Sequence, residues 1–294
     1  MLEVALRADP GWLALAFVPL LCRFLIWGFK WYRMLRRREA VPFTATMRFL
    51  MIGVFVNLTT PSAKLAGGIV RSLMLHRDFG WRRSVAYGWA LADQITNSLG
   101  FLLLFSIAAA MTGRTSLLVA GAAAFALLLA ILSLRGFAWR RIQRPDLAER
   151  VIRWLPSRLV PENRGRVALE RVQNATGPFL HDPRMWGDVV VSAASFGCIC
   201  LSNALVLRSL GVGANIWSIS VAVAIGYFAG TGLSPWGGIG VTEAVLATMY
   251  TQLGVPAESA AAGALLHRAG FYLVVTTWGG AALLRQGHPR RRRS

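Results

Sequence analysis

The segment Ser234-Pro235-Trp236-Gly237-Gly238-Ile239-Gly240-Val241-Thr242-Glu243 interrupts an apolar stretch that runs from Ile216 to Tyr250. Proline removes a backbone donor and glycine has poor helix propensity, so no unbroken helix is expected through it. Non-helical backbone at membrane depth is tolerated only where protein or a water-lined cavity satisfies its polar groups, which marks the break as a candidate site. A second break, Asn57-Leu58-Thr59-Thr60-Pro61-Ser62-Ala63-Lys64-Leu65-Ala66-Gly67-Gly68, divides the apolar stretch from Phe43 to Leu75. The two share their parts: Pro61, then Gly67-Gly68, then Gly80; and Pro235, then Gly237-Gly238, then Gly254.

The first break leaves two arms of about 15 residues, short of the roughly 20 that cross a bilayer. Each broken stretch therefore reads as a re-entrant hairpin. A membrane setting follows from the chain as a whole, which is 55% hydrophobic and 15% charged with a mean hydropathy of +0.50. The net charge of +19 sits in clusters between apolar segments. Positive-inside topology explains such clusters more simply than nucleic-acid binding, and no nucleic-acid partner is expected. Cys22, Cys198 and Cys200 lie in apolar segments and read as small buried hydrophobes, so no disulfide, metal site or cofactor is expected.

Charge then orders the segments. Gly11 to Met34 is a first span, retained rather than cleaved, with the stretch Lys30 to Arg38 marking its cytoplasmic end. The Phe43 to Leu75 hairpin is flanked by Arg77, Arg82 and Arg83, so it enters from the cytoplasm and returns there. Ser84 to Met111 crosses outward, and 116–134 is a connector span. Residues 135–188 form a basic cytoplasmic loop, within which Pro145 to Leu155 reads as an interfacial helix. Val189 to Leu207 crosses outward, the second hairpin enters from outside, and Ala260 to Leu284 returns to a basic cytoplasmic tail, 285–294. The expected fold is all-α: one polytopic domain over 1–294, with two re-entrant broken-helix hairpins in an inverted repeat (11–111 and 189–284), in the plasma membrane.

Ionisable groups inside membrane segments are expensive, and function is their default reading. Arg71 and Glu243 follow the two breaks; Asp93 and Arg268 lie in the spans after the hairpins. With Lys64, Gly67, Gly68, Pro235, Gly237 and Gly238 at the breaks themselves, they form the candidate substrate-binding set. Arg71 and Arg268 are placed to face an anionic group, since arginine offers a planar fork of donors and a broken helix offers free N–H groups. The competing reading is structural: Arg71–Glu243 or Arg268–Asp93 ion pairs that hold the repeats together. For Asp93 and Lys64 a position at a hairpin or helix end, with snorkelling, is the favoured alternative. Arg23 is free to pair with the C-terminal span, His267 reads as a packed side chain, and Asn57, Asn97 and Asn203 read as interhelical glue. Motifs of soluble enzymes are missing, and no catalysis is expected.

Pro61 through Gly67-Gly68 to Arg71, Leu91 to Gly100, Pro235 to Glu243, Gly254-Val255 and Leu266 to Tyr272 together resemble the flippase-like transmembrane domain of lysylphosphatidylglycerol synthetases. The span matching Leu91 to Gly100 usually reads Glu-Arg-x-x-Asp in that family, whereas this chain has Asp93-Gln94-Ile95-Thr96-Asn97, which implies a different lipid. The chain resembles a standalone member, without the aminoacyltransferase domain of full-length relatives. The resemblance implies a lipid translocase moving an anionic or modified phospholipid, or a polyprenyl lipid, across the plasma membrane. Its partners are then lipids with anionic headgroups and a lipid-modifying enzyme. The alternatives are an ion- or proton-coupled carrier of a small anion, with Glu243 as coupling carboxylate, and a non-transporting scaffold for such an enzyme.

Overall fold

The structure, a computed structural model, describes residues 2–60, 66–113, 182–233 and 238–286, with isolated positions between 116 and 126. The connector span, most of the basic loop and its interfacial helix, the C-terminal tail, and Lys64, Pro235 and Gly237 lie outside the described residues. Among the described residues every element is helical.

The helices are α1 (Leu2–Leu6), α2 (Pro10–Arg36), α3 (Phe43–Thr59), α4 (Ala66–Phe79), α5 (Arg83–Met111), α6 (Met185–Ser209), α7 (Ile216–Leu233), α8 (Val241–Gln252), α9 (Ala257–Val274) and α10 (Ala281–Gln286). A π-helical turn, Val275–Gly280, joins α9 to α10 without a break. The order long helix, two short helices, long helix thus occurs twice. α2, α5 and α6, at 27, 29 and 25 residues, are long and apolar enough to cross a membrane. At 1.5 Å per residue, the 17 residues of α3 and 14 of α4 reach only ~25 and ~21 Å against a ~30 Å hydrocarbon core. The 12 residues of α8 reach less.

Local chemistry sets the boundaries. Asp9 caps α2, accepting from the backbone N–H of Gly11 at 2.7 Å and of Trp12 at 3.3 Å, with Pro10 opening the helix. The first break is narrower than its sequence implies, because α3 runs on through Asn57 to Thr59. The Asn57 side chain accepts from Gly67 N at 2.6 Å, satisfying one of the orphan donors that open α4. Gly80 (φ 71°) and Gly254 (φ 88°) end the second arm of each short pair in a conformation that L side chains disfavour.

Glycine also brings the short helices together. Gly53 on α3 lies against the Gly67 carbonyl on α4, and Gly230 on α7 lies against Gly238 and Thr242 at the start of α8. Both pairs are antiparallel, as Arg48–Asp78 and Gly226–Leu246 show at their other ends. α2 and α6 also run antiparallel: Asp9 N bonds Ser209 O, Ser202 Oγ bonds Ala16 O, and Arg37 meets Asp188. α5 packs beside α6 through Gly100, which lies against Ser192 and Ala193.

Two main apolar clusters form the core, the first centred on the N-terminal half but reaching Met185, Val189, Val274 and Val275. One gathers Phe24, Trp31, Phe49, Leu50 and Leu75; the other gathers Ile199, Leu207, Leu246 and Tyr250. The outside is equally apolar. Leu15, Val18, Leu21, Leu25 and Phe29 form a stripe on α2, each 41–54% exposed, while Lys30 on the same helix is 0% exposed. Charge inside and aliphatic side chains outside is the distribution expected of a protein solvated by lipid.

Candidate functional site

Asp93, 0% exposed in the middle of α5, is the centre of the first charged cluster. Its carboxylate accepts from Arg71 Nη1 of α4 at 2.7 Å, from Lys30 Nζ of α2 at 2.9 Å and from the Trp27 indole N–H at 3.0 Å. The Lys30 ammonium is further solvated by Thr96 Oγ1 at 3.0 Å and by Asn97 Oδ1 and Ser192 Oγ, each at 2.9 Å. The Arg71 guanidinium lies 4.7 Å from the Trp31 ring centre.

The second cluster joins α8 to α9. Arg268 Nε donates to Glu243 Oε1 at 2.9 Å, Arg268 Nη2 donates to the Tyr272 hydroxyl at 2.7 Å, and that hydroxyl donates to the same Glu243 oxygen at 2.7 Å. Glu243 sits in the first turn of α8, where the helix dipole favours a negative charge. Its Oε2 has no hydrogen-bond partner among the described residues. The rings of Tyr272, Phe271 and Tyr227 surround the Arg268 guanidinium at 4.7, 5.2 and 5.8 Å.

The clusters match with their signs exchanged. In the first half the arm after the break carries the cation and the next helix the carboxylate; in the second half the arm carries the carboxylate and the next helix the cation. Each pair ties the second helix of its short pair to the long helix that follows. Arg23 lies between the two clusters. It is 6% exposed, with Trp27 and Phe196 covering its guanidinium at 4.7 and 4.5 Å, and it is within electrostatic reach of both Asp93 and Tyr227.

The sequence-based set is therefore only partly brought together. Arg71 meets Asp93, and Arg268 meets Glu243; neither cross-pairing, Arg71 with Glu243 or Arg268 with Asp93, is formed. Gly67 and Gly68 sit at the start of α4, with Gly68 facing Gln94, and Gly238 is buried against Gly230. Asp93 does not snorkel from a helix end: it is buried in mid-helix because α2 and α4 supply it with two cations and an indole. Arg23 does not pair with the C-terminal helix but packs on α6, its Nη1 donating to Ser195 Oγ. His267 is 2% exposed and neither ring nitrogen has a partner among the described residues. Asn57 and Asn203 do act as interhelical links, the latter accepting from the Tyr250 hydroxyl at 2.9 Å.

Lys30 was missed, because it opens a run of basic residues that marks a helix end. The signal was available: Arg23, Trp27 and Lys30 are spaced i, i+4, i+7 and share one helix face.

Four cations, Arg23, Lys30, Arg71 and Arg268, are at most 6% exposed in this region, and the carboxylates around them are Asp93, Glu243 and the fully buried Asp188, which is in electrostatic reach of Lys30 and ion-paired with Arg37. The four buried cations thus outnumber these three carboxylates by one.

An all-helical chain with lipid-facing apolar surfaces and buried paired charges is a polytopic membrane protein. It belongs to the lysylphosphatidylglycerol synthase TM region family, whose sequence pattern matches residues 1–279. It is similar to the UPF0104 membrane protein PH1989 of Pyrococcus horikoshii, 23% identical over 306 residues that cover 97% of this chain and 90% of that protein. No solved structure matches the chain.

Proposed function

We propose that this protein is a translocase of the cell membrane that moves a lipid with an anionic headgroup between leaflets. The observation that carries the reading is the surplus of buried cations beside two short helix pairs. Burying an ion costs several kcal/mol unless it is paired, so a cluster left net positive is suited to a transient anion. A lipid headgroup brings such a charge while its acyl chains stay in the bilayer.

In this reading α3–α4 is a re-entrant hairpin entered from the cytoplasm and α7–α8 one entered from outside, the two halves being an inverted repeat. The antiparallel α2–α6 contact supports opposed halves, and the short arms support hairpins that return to the side they entered. The Arg71–Asp93 and Glu243–Arg268 pairs then hold the arms closed, and alternating access proceeds by opening one hairpin against its neighbouring helix. The basic loop and tail face the cytoplasm.

A second reading is favoured by one fact: Arg71 and Arg268 are each engaged by a carboxylate. If those pairs serve only to hold helices, the protein is a scaffold that seats a lipid-modifying enzyme at the membrane. Lipid-flip measurement in proteoliposomes separates the two, using wild type, Arg71→Ala, Glu243→Gln and Arg268→Ala. Translocation above that of empty liposomes, and lost in the arginine variants, supports the first. Flip rates equal to those of empty liposomes across several anionic lipids support the second.

A further inference from the structure

The geometry points to Arg23 as the residue that binds the phosphate oxyanion of the cargo, at the seam between the two halves. The identification of the ligand as cargo rests on the translocase reading above; the oxyanion site itself rests on geometry. Of the four buried cations, Lys30 and Arg71 share Asp93, and Arg268 has Glu243. Arg23 has a neutral partner: among the described residues its guanidinium donates one hydrogen bond, from Nη1 to the Ser195 hydroxyl. That hydroxyl in turn donates to Arg23 O at 2.9 Å, so α2 and α6 hold each other in register at this point.

Trp27 and Phe196 cover the guanidinium, at 4.7 and 4.5 Å from their ring centres. Aromatic cover fixes the plane of an arginine without neutralising it, and leaves the edge N–H groups as donors. A fork of fixed orientation is the geometry that takes two oxygens of a phosphate at once. Position adds to chemistry. Trp27 donates its indole N–H to Asp93, and Arg23 is also in electrostatic reach of Tyr227, beside Arg268. An oxyanion on Arg23 is therefore in electrostatic reach of the networks of both halves. At 6% exposure the residue is reached only when a neighbouring helix moves.

The test is ligand-dependent thermal unfolding of the full chain in detergent micelles, titrated separately with phosphatidylglycerol, diacylglycerol and inorganic phosphate. Phosphatidylglycerol is expected to raise the melting temperature of wild type, and diacylglycerol is not. In Arg23→Gln the apparent affinity is expected to fall at least about tenfold, the loss of one charge-assisted hydrogen bond, with Arg23→Lys in between. Without ligand, Arg23→Gln is expected to melt no lower than wild type, because it removes a buried charge that has no carboxylate. A shift with phosphatidylglycerol alone assigns the site to a lipid headgroup; a shift with inorganic phosphate as well assigns it to phosphate of either source.

Three results overturn the inference: no shift with either phosphate, unchanged affinity in Arg23→Gln, or an unliganded Arg23→Gln that is itself destabilised. Transport is read separately. Binding without flip in the wild type counts against translocation, whereas flip and binding both intact in Arg23→Gln count against Arg23 alone.

Discussion

Replacing Asp93 by Asn removes the one carboxylate that Lys30 and Arg71 share, without changing the size of the side chain. Both cations are buried, at 1% and 4% side-chain exposure, and the carboxylate at 0%. Removing one member of a buried pair typically costs about 3–5 kcal/mol, because the remaining charge is left uncompensated. Two features hold the cost toward the lower figure. Lys30 keeps the oxygens of Thr96, Asn97 and Ser192, and the new amide oxygen still accepts a hydrogen bond. A loss of about 3 kcal/mol, roughly a hundredfold in the folded-to-unfolded ratio, is therefore expected. Equilibrium unfolding in mixed micelles of rising dodecyl sulfate content, followed by helical circular dichroism, measures it. Lys30→Met alone leaves Arg71 with Asp93 and should cost less, and in the Asp93→Asn background it should recover stability by removing one orphaned cation. If Asp93→Asn unfolds within about 0.5 kcal/mol of wild type, the scale of an ordinary surface substitution, the cluster is not the buried, carboxylate-centred unit inferred from its geometry.

Gly67→Ala places a methyl group against the Gly53 carbonyl and the Asn57 amide, and is expected to destabilise by about 1–3 kcal/mol in the same assay, whereas Gly197→Ala meets nothing within 4 Å and should be neutral or slightly stabilising. Tyr272→Phe deletes the hydroxyl that links Arg268 to Glu243 and should cost about 1 kcal/mol, less than Arg268→Ala, which leaves Glu243 without its cation. In a background lacking Cys22, Cys198 and Cys200, the exposed positions Arg82→Cys and Ala257→Cys should react with an impermeant maleimide from opposite faces of the membrane. Reaction from the same face contradicts the opposed orientation of the two halves.

The elements were largely legible in the sequence, and their partners were not. The span read over Ser84 to Met111 is the helix Arg83–Met111, α3 and α7 end at Thr59 and Leu233, ahead of the two proline-glycine segments, and Gly80 and Gly254 end the arms that follow. Those features are local, set by hydrophobic run length and backbone propensity. Which carboxylate meets which arginine depends on how helices cross, and nothing local to Arg71 distinguishes Asp93, 22 residues away, from Glu243. Lys30 was hidden for a related reason. A lysine at the end of an apolar run looks the same whether it reaches headgroups or turns inward, and here it turns inward because α5 and α6 present Asp93, Thr96, Asn97 and Ser192 to it. Arg23 was visible as a charge in a span, but its lack of a carboxylate became apparent only with Trp27 and Phe196 in place around it.

Transport itself is tested most directly by the rate at which a fluorescent phosphatidylglycerol becomes accessible to dithionite in proteoliposomes of the wild-type protein, compared with empty liposomes and with Arg71→Ala. Faster exchange in the wild type alone is the expected result; identical rates in all three, for phosphatidylglycerol and for other anionic lipids, contradict a translocase.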